Sequence, residues 1–166
     1  MSSRVAAALP QKKRALQGRR LVVIDIENVA GGAILTNEAA AWARGQVEKF
    51  SGSTSGDQVV VGVSHIGLFQ TRSAYPAARL RCRSGPDGAD LALIEVLEDE
   101  NLSQRFDEVV LATGDGIFSE AVSALAAAGV RVTVLGRRGH TSRRLVMAAH
   151  ATSYFDEAAE HVGGVA

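Results

Sequence analysis

The run Leu21-Val22-Val23-Ile24-Asp25-Ile26 places the tightest constraint on the fold. Four aliphatic residues in a row, three of them β-branched, show no polar alternation. Such a strand is apolar on both faces and needs a layer packed on each side of its sheet, as in a parallel sheet with helical crossovers. Asp25 interrupts the run near its C-terminal end. An ionised carboxylate there is costly unless it is hydrogen-bonded, ion-paired or cation-bound. Asp25 is therefore the cap of the next loop, half of a buried ion pair, or a functional group.

The rest of the chain repeats the same unit. Gly31-Gly32 marks a loop, and Thr36 caps a helix with Asn37 and Glu38 in its first turn. Further strands are expected over residues 58–64, 78–82, 108–112 and 130–135, with residues 152–155 as an added edge strand. Residues 68–75 read as a short helix ending before Pro76. Residues 89–100 form a helix, a second carries Phe118, Val122 and Leu125 up to Gly129, and Ser142 caps a last short one. Strands alternating with helices predict an α/β fold: a doubly wound parallel sheet of about five strands with helices on both faces. In the order 3-2-1-4-5, strands one and four are neighbours. Asp25 and Asp115, the latter following strand four, then enter one crevice at the C-terminal strand ends.

At 166 residues the chain is the size of one domain, and 46% hydrophobic with 22% charged residues excludes a disordered or fibrous chain. The single cysteine, Cys82, excludes an internal disulfide framework and fits a reducing compartment. The net charge is zero but unevenly spread: residues 1–20 hold six basic side chains and no acid. They are read as a basic, flexible arm before a domain at 21–156, with 157–166 as a tail. No stretch reaches transmembrane length, and the apolar Val5-Ala6-Ala7-Ala8-Leu9 precedes rather than follows its basic residues, unlike a signal peptide. A cytoplasmic protein without membrane contact is expected.

Asp90 falls in the first turn of the helix at 89–100, where an acid also favours the helix dipole and Asp87 can serve as the cap. Three carboxylates, Asp25, Asp90 and Asp115, entering one crevice would have raised pKa values or share cations. All-oxygen ligation suits Mg²⁺ or Mn²⁺ rather than zinc. Two arginine clusters could meet phosphates: Arg72, Arg79, Arg81 and Arg83, and Arg137, Arg138, Arg143 and Arg144. Each alone reads more readily as a solvated face. The four histidines lack zinc spacing, and Trp42, Phe69 and Tyr75 read as packing residues in preference to base-stacking ones.

Taken in order, these segments resemble an NYN domain, a branch of the PIN-like metal-dependent ribonucleases, over residues 21–156. The strand ending in Asp with Asn three residues on is Val-Ile-Asp25-Ile-Glu-Asn28. A Gly-rich turn entering an Asp-bearing helix is Gly88-Ala89-Asp90-Leu-Ala-Leu. A strand followed by Ser/Thr-Gly-Asp is Thr113-Gly114-Asp115-Gly116-Ile117-Phe118. A Gly-Arg loop with Ser before an Arg-Leu helix is Gly136-Arg-Arg-Gly-His-Thr-Ser142-Arg-Arg-Leu145. The resemblance implies a PIN-like sheet and an RNA-hydrolysing crevice with a metal-activated water, an endoribonuclease using Mg²⁺ or Mn²⁺. It makes Asp25, Asp90 and Asp115 the catalytic metal-binding acids. Asn28, Thr113, Ser142 and Glu27 would shape the site, and Arg72, Arg137, Arg138, Arg143 and Arg144 would contact RNA.

Such domains often carry a second acid where Ile117 stands, with Glu27 or, more weakly, Glu95 able to substitute. The alternative is accordingly a catalytically weakened RNA-binding module. Asp25-Ile26-Glu27 approximates the Asp-x-Asp of haloacid-dehalogenase phosphatases, but these and phospho-receiver domains need a late lysine, and the last lysine here is Lys49. No P-loop Gly-x-x-x-x-Gly-Lys occurs.

Overall fold

A computed structural model describes residues 18–155. Most of the basic arm expected at 1–20, and all of the tail at 157–166, lie outside the described residues. Six strands, β1 (Arg20–Asp25), β2 (Gln58–Val63), β3 (Arg79–Cys82), β4 (Glu108–Ala112), β5 (Arg131–Gly136) and β6 (Ala151–Tyr154), form one sheet in the order β3-β2-β1-β4-β5-β6. Every neighbouring pair is parallel. The expected order of five strands holds, and the edge strand extends it by one. The helices are α1 (Ile26–Ala30), α2 (Asn37–Ser51), α3 (Leu68–Ala74), α4 (Gly88–Asp99), α5 (Ser119–Ala127) and α6 (Arg143–Ala148). Among the described residues no helix is long and apolar enough to cross a membrane.

The uninterrupted apolar strands are explained by two cores. Leu21 and Val23 of β1, with Val109, Leu111, Val132 and Val134, pack against Leu93, Val96 and Leu97 of α4, Val122 and Leu125 of α5, and Leu145 of α6. Val22 and Ile24, with Val61, Val63, Val110 and Ala112, pack against Ile26 and Val29 of α1 and Ala40, Ala43 and Val47 of α2. Each buried Val or Leu contributes about 1.5–3 kcal/mol relative to exposure. By this alternation Asp25 and Thr113 continue the face covered by α4 and α5.

The strand expected to run through Ile26 stops at Asp25. The Asp25 side chain accepts the Asn28 N–H at 3.3 Å and starts α1, and Gly31 (φ +84°) ends it one turn later. A five-residue helix is too short to show a periodicity. Thr36 does cap α2, its hydroxyl accepting the Ala39 N–H at 3.1 Å.

Gly62 positions the site. It lies level with Asp25 across the β1–β2 pairing and faces α4. A Cβ there would fall 2.6 Å from Leu93 Cγ, so the bare backbone is what lets α4 settle onto the sheet. Asp90 sits one turn before Leu93 and is brought to the strand end by that approach. Leu93 is fully buried and its branch point cannot swing away. Gly62→Ala is therefore expected to lower stability by about 1–3 kcal/mol, as overpacking does, measured by urea denaturation. Combining it with Leu93→Ala should cost less than the two changes separately.

Candidate active site

At the C-terminal ends of β1, β2 and β4 a pocket of about 250 Å³ opens. Asp25, Glu27, Asn28, Ser64, Asp87, Asp90 and Asp115 line it together with the small residues Gly85, Gly88 and Ala89. Five carboxylates and no lysine or arginine form this wall. A larger cavity of about 510 Å³ opens at the start of β2 and β3. Its charges are already matched, Arg20 with Asp57, Arg44 with Glu48 and Arg79 with Glu100. The unbalanced chemistry is in the smaller pocket.

Asp25 is only 5% exposed. Its Oδ1 takes the Asn28 amide, and its Oδ2 accepts the Thr113 hydroxyl at 3.0 Å. The same hydroxyl oxygen accepts the Asp115 N–H at 3.2 Å. Asn28 Oδ1 accepts the Gly114 N–H at 2.8 Å, a second tie between the ends of β1 and β4. Asp115 Oδ1 accepts the Ile117 N–H at 3.0 Å and starts the turn leading into α5. Asp25 and Asp115 are thus both caps and pocket walls, so the two readings of each were not exclusive.

Asp90 completes the group from the first turn of α4. Burial, reinforced by the Asp90 charge, pushes the Asp25 carboxyl up to about 8, against the bonds from Thr113 and the Asn28 amide. Asp90 is raised as well, by burial first and then by the charges of Asp115, Asp87 and Glu27, while its hydrogen bond with Asp25 acts the other way. The two carboxyls share a proton. Asp87 occupies the N-cap position of α4 as expected, but with a left-handed backbone (φ +57°) and no side-chain cap bond. It also lines the pocket, a role that spacing alone did not reveal. Glu27 Oε1 accepts the Ser64 N–H at 2.8 Å and braces the end of β2. Glu95 is taken up by Arg81 and Arg83, at 2.9 and 2.8 Å.

The loop after β5 packs directly on this site. Ser142 does not cap α6 with its side chain; its backbone N–H donates to the Gly114 carbonyl at 2.8 Å. A Cβ on Gly114 would lie 2.3 Å from the His140 carbonyl, so only glycine admits the loop here. Arg137 rests against Gly31, where a Cβ would stand 3.0 Å from its guanidinium carbon, and Arg138 lies over the Tyr154 ring at 4.8 Å. Among the described residues the ion pairs go to Arg20, Arg44, Arg79, Arg81, Arg83 and Arg105. Arg137, Arg138, Arg143 and Arg144 have no carboxylate partner among them. Arg72 stands apart from the pocket, its Nη1 donating to the carbonyls of Tyr75, Pro76 and Ala78 at 3.4, 3.2 and 3.0 Å.

A family model for the NYN domain matches residues 21–156. The chain belongs to the NYN domain family. NYN domains are PIN-like nucleases, generally ribonucleases and generally dependent on divalent metal. A crystal structure of a protein of unknown function from Vibrio parahaemolyticus RIMD 2210633 is similar, with a TM-score of 0.56 and 18% identity over 84% of this chain and 94% of that chain. At that identity the likeness concerns the fold. No curated protein matches.

Among the described residues no three His, Cys, Asp or Glu side chains gather closely enough to enclose a metal ion by themselves. The donors that line the pocket are carboxylate and amide oxygens, the type that suits a hydrated cation such as Mg²⁺ better than a soft metal. Without a cation the raised Asp25 makes the native state hold more protons than the unfolded chain, whose aspartates titrate near about 3.9. Stability is then expected to fall as pH rises through that window, from about 4 to about 8. Melting curves in EDTA should show this slope in the natural chain. Asp25→Asn should flatten it and melt higher than the natural chain near about pH 8. A natural chain with no such slope would contradict the burial of this charge.

Proposed function

We propose that the chain is a divalent-metal-dependent endoribonuclease that hydrolyses RNA phosphodiester bonds with an activated water. The observation that carries the reading is an acidic pocket with no basic lining, against whose Gly114 edge the arginine-bearing loop after β5 is packed. Asp25, Asp90 and Asp115 are the groups that would hold Mg²⁺ or Mn²⁺, directly or through water. The ion, when bound, supplies a charge that lowers the pKa of a coordinated water and neutralises phosphate oxygens.

The remaining work falls to the chain's own residues. Thr113 and Asn28 fix the Asp25 carboxylate so that its direction does not depend on the substrate. Asp25 holds a proton near neutral pH, and that proton must leave before a cation is taken up. Arg137, Arg138, Arg143 and Arg144 bind and orient the phosphate backbone, a contact that positions without reading sequence. Arg72, clamped on three carbonyls, takes a smaller share than the sequence pattern gave it. The setting is cytoplasmic, where RNA and a reduced Cys82 occur together.

A second reading has its own observation. Ile117 stands beside Asp115 where related domains often carry an acid, and it is 39% exposed. A site short of that charge could retain RNA without cutting it. Purified protein with end-labelled RNA in Mg²⁺ or Mn²⁺ separates the two. Cleavage is expected, abolished by EDTA and reduced at least a hundredfold, the order of loss when a charge-stabilising group leaves a hydrolytic site, by Asp115→Asn. RNA retained but uncut would mark the binding module, and cutting that survives Asp115→Asn would place the activity elsewhere.

A further inference from the structure

The two banks of the acidic crevice differ in how their arginines are engaged. The loop and helix that follow β5 carry Arg137, Arg138, Arg143 and Arg144, none of them with a carboxylate partner among the described residues. On the β2–β3 bank the guanidinium groups are engaged: Arg79 with Glu100 at 2.8 and 2.5 Å, Arg81 and Arg83 with Glu95, and Arg72 with backbone carbonyls. These guanidinium groups are already committed to protein partners. The bank also presents apolar side chains. Phe69 is 84% exposed, Ile66 64% and Leu35 66%.

Ile66 and Phe69 stand on the segment that leaves the pocket at Ser64, and Leu35 is tied to that segment through Gln70. Ser64 lines the pocket, and the 3₁₀ turn His65–Gly67 leads from it straight into α3. Ile66 and Phe69, three residues apart, share one face. Gln70 donates to the Leu35 carbonyl at 3.4 Å and holds Leu35 alongside. The turn is firmly seated: a Cβ on Gly67 would fall 2.7 Å from buried Ile34, and His65 Nδ1 meets Ser84 Oγ at 2.8 Å, next to the Gly85 of the pocket. Helical rise carries Phe69 only about 9 Å along from Ser64.

Resting on the ribonuclease reading, we propose that this shelf stacks an unpaired base of the substrate. The Phe69 ring takes the base face, and Ile66 and Leu35 flank it. The guanidinium groups of this bank are already committed to Glu95, Glu100 and backbone carbonyls, so the strand is anchored mainly by the arginines after β5 on one side and by a base on the other. Base–aromatic stacking is tolerant of sequence because every base has a flat face, and a base stacked within a duplex has none free. Phe69 thereby makes the site selective for single-stranded RNA and sets which phosphate reaches the acids. A second copy of the chain is a poorer occupant, since three side chains fall well short of the roughly 800 Å² each partner buries in a stable dimer.

The test compares the full chain with Phe69→Ala and Phe69→Trp. Each is titrated with labelled single-stranded RNA and with a duplex of the same sequence, and the cleavage positions are mapped. Phe69 is exposed, so folding is not at stake. Phe69→Ala should weaken single-strand binding about five- to a hundredfold, leave duplex binding unchanged and blur the cleavage positions. Phe69→Trp should retain single-strand binding and a single set of positions. Equal single-strand affinity in Phe69→Ala, or an equal loss on duplex, overturns the shelf while leaving the ribonuclease reading standing. A natural chain that self-associates, and that Phe69→Ala makes monomeric, overturns it in favour of a second copy. A natural chain that neither binds nor cuts RNA overturns the parent reading and the shelf with it.

Discussion

One buried hydroxyl holds the site together. Thr113 gives its proton to Asp25 Oδ2 and takes the Asp115 amide on the same oxygen. It therefore couples the carboxylate at the end of β1 to the backbone that presents the carboxylate after β4. A hydrogen bond between uncharged groups contributes about 0.5–1.5 kcal/mol, more when the carboxyl is ionised, and a valine of the same shape would supply neither half of it. The parallel pairing of Ile24 with Ala112 brings Asp25 and Thr113 level, and the strand alternation turns both toward α4. Asp90 arrives from above only because Gly62 leaves room for Leu93. Strand register, a missing side chain and one hydroxyl together bring three acids from distant segments into one pocket.

The same residue type has opposite fates on the two sides of that pocket. Glu95 and Glu100 neutralise the arginines of β3, whose side chains cross to the exposed side of α4. Surface pairs of this kind contribute little to stability, about 0–1 kcal/mol each, so their larger effect is on the field. They reduce the positive potential around β3, while the arginines after β5 have no carboxylate partner among the described residues. A polyanion approaching within a Debye length, about 8 Å at physiological salt, meets attraction from the arginine loop and repulsion from the acids. Its track is set by that gradient before any contact forms.

The fold was legible because its signals are local and repeated. Continuous aliphatic runs, a hydroxyl cap at Thr36 and glycines at turns each state an element, and alternation restricts their arrangement to few topologies. The acids were legible for a related reason: Asp25 contradicts the strand that carries it. What was not legible depends on distance in space. Nothing in the run of arginines from Arg72 to Arg83 says that Glu95 and Glu100 will meet them one helix later. Phe69 and Tyr75 look alike in sequence, yet Tyr75 is buried under α2 with Arg44 across its ring while Phe69 stands in water. Asp87 reads as a hydrogen-bonding cap, yet its left-handed backbone leaves it at the N-cap position without a cap bond. The helix Ile26–Ala30 is one turn long, below the length at which a period can be seen.

Ile117 bears on what the pocket lacks. Its amide is bound by Asp115 and its side chain is partly in solvent. A carboxylate at that position would face water and be screened by it. The acids that remain include buried Asp25 and half-buried Asp90, and burial gives a charge its strength and its cost. Five carboxylates line the pocket and no basic side chain does. Neutrality there must come from protons, as the raised Asp25 and Asp90 show, or from a cation supplied from outside. An exposed acid in place of Ile117 would add less to the field in the pocket than the buried Asp25 carboxylate does. The geometry is accordingly that of a pocket built around one position of high negative potential, Asp25.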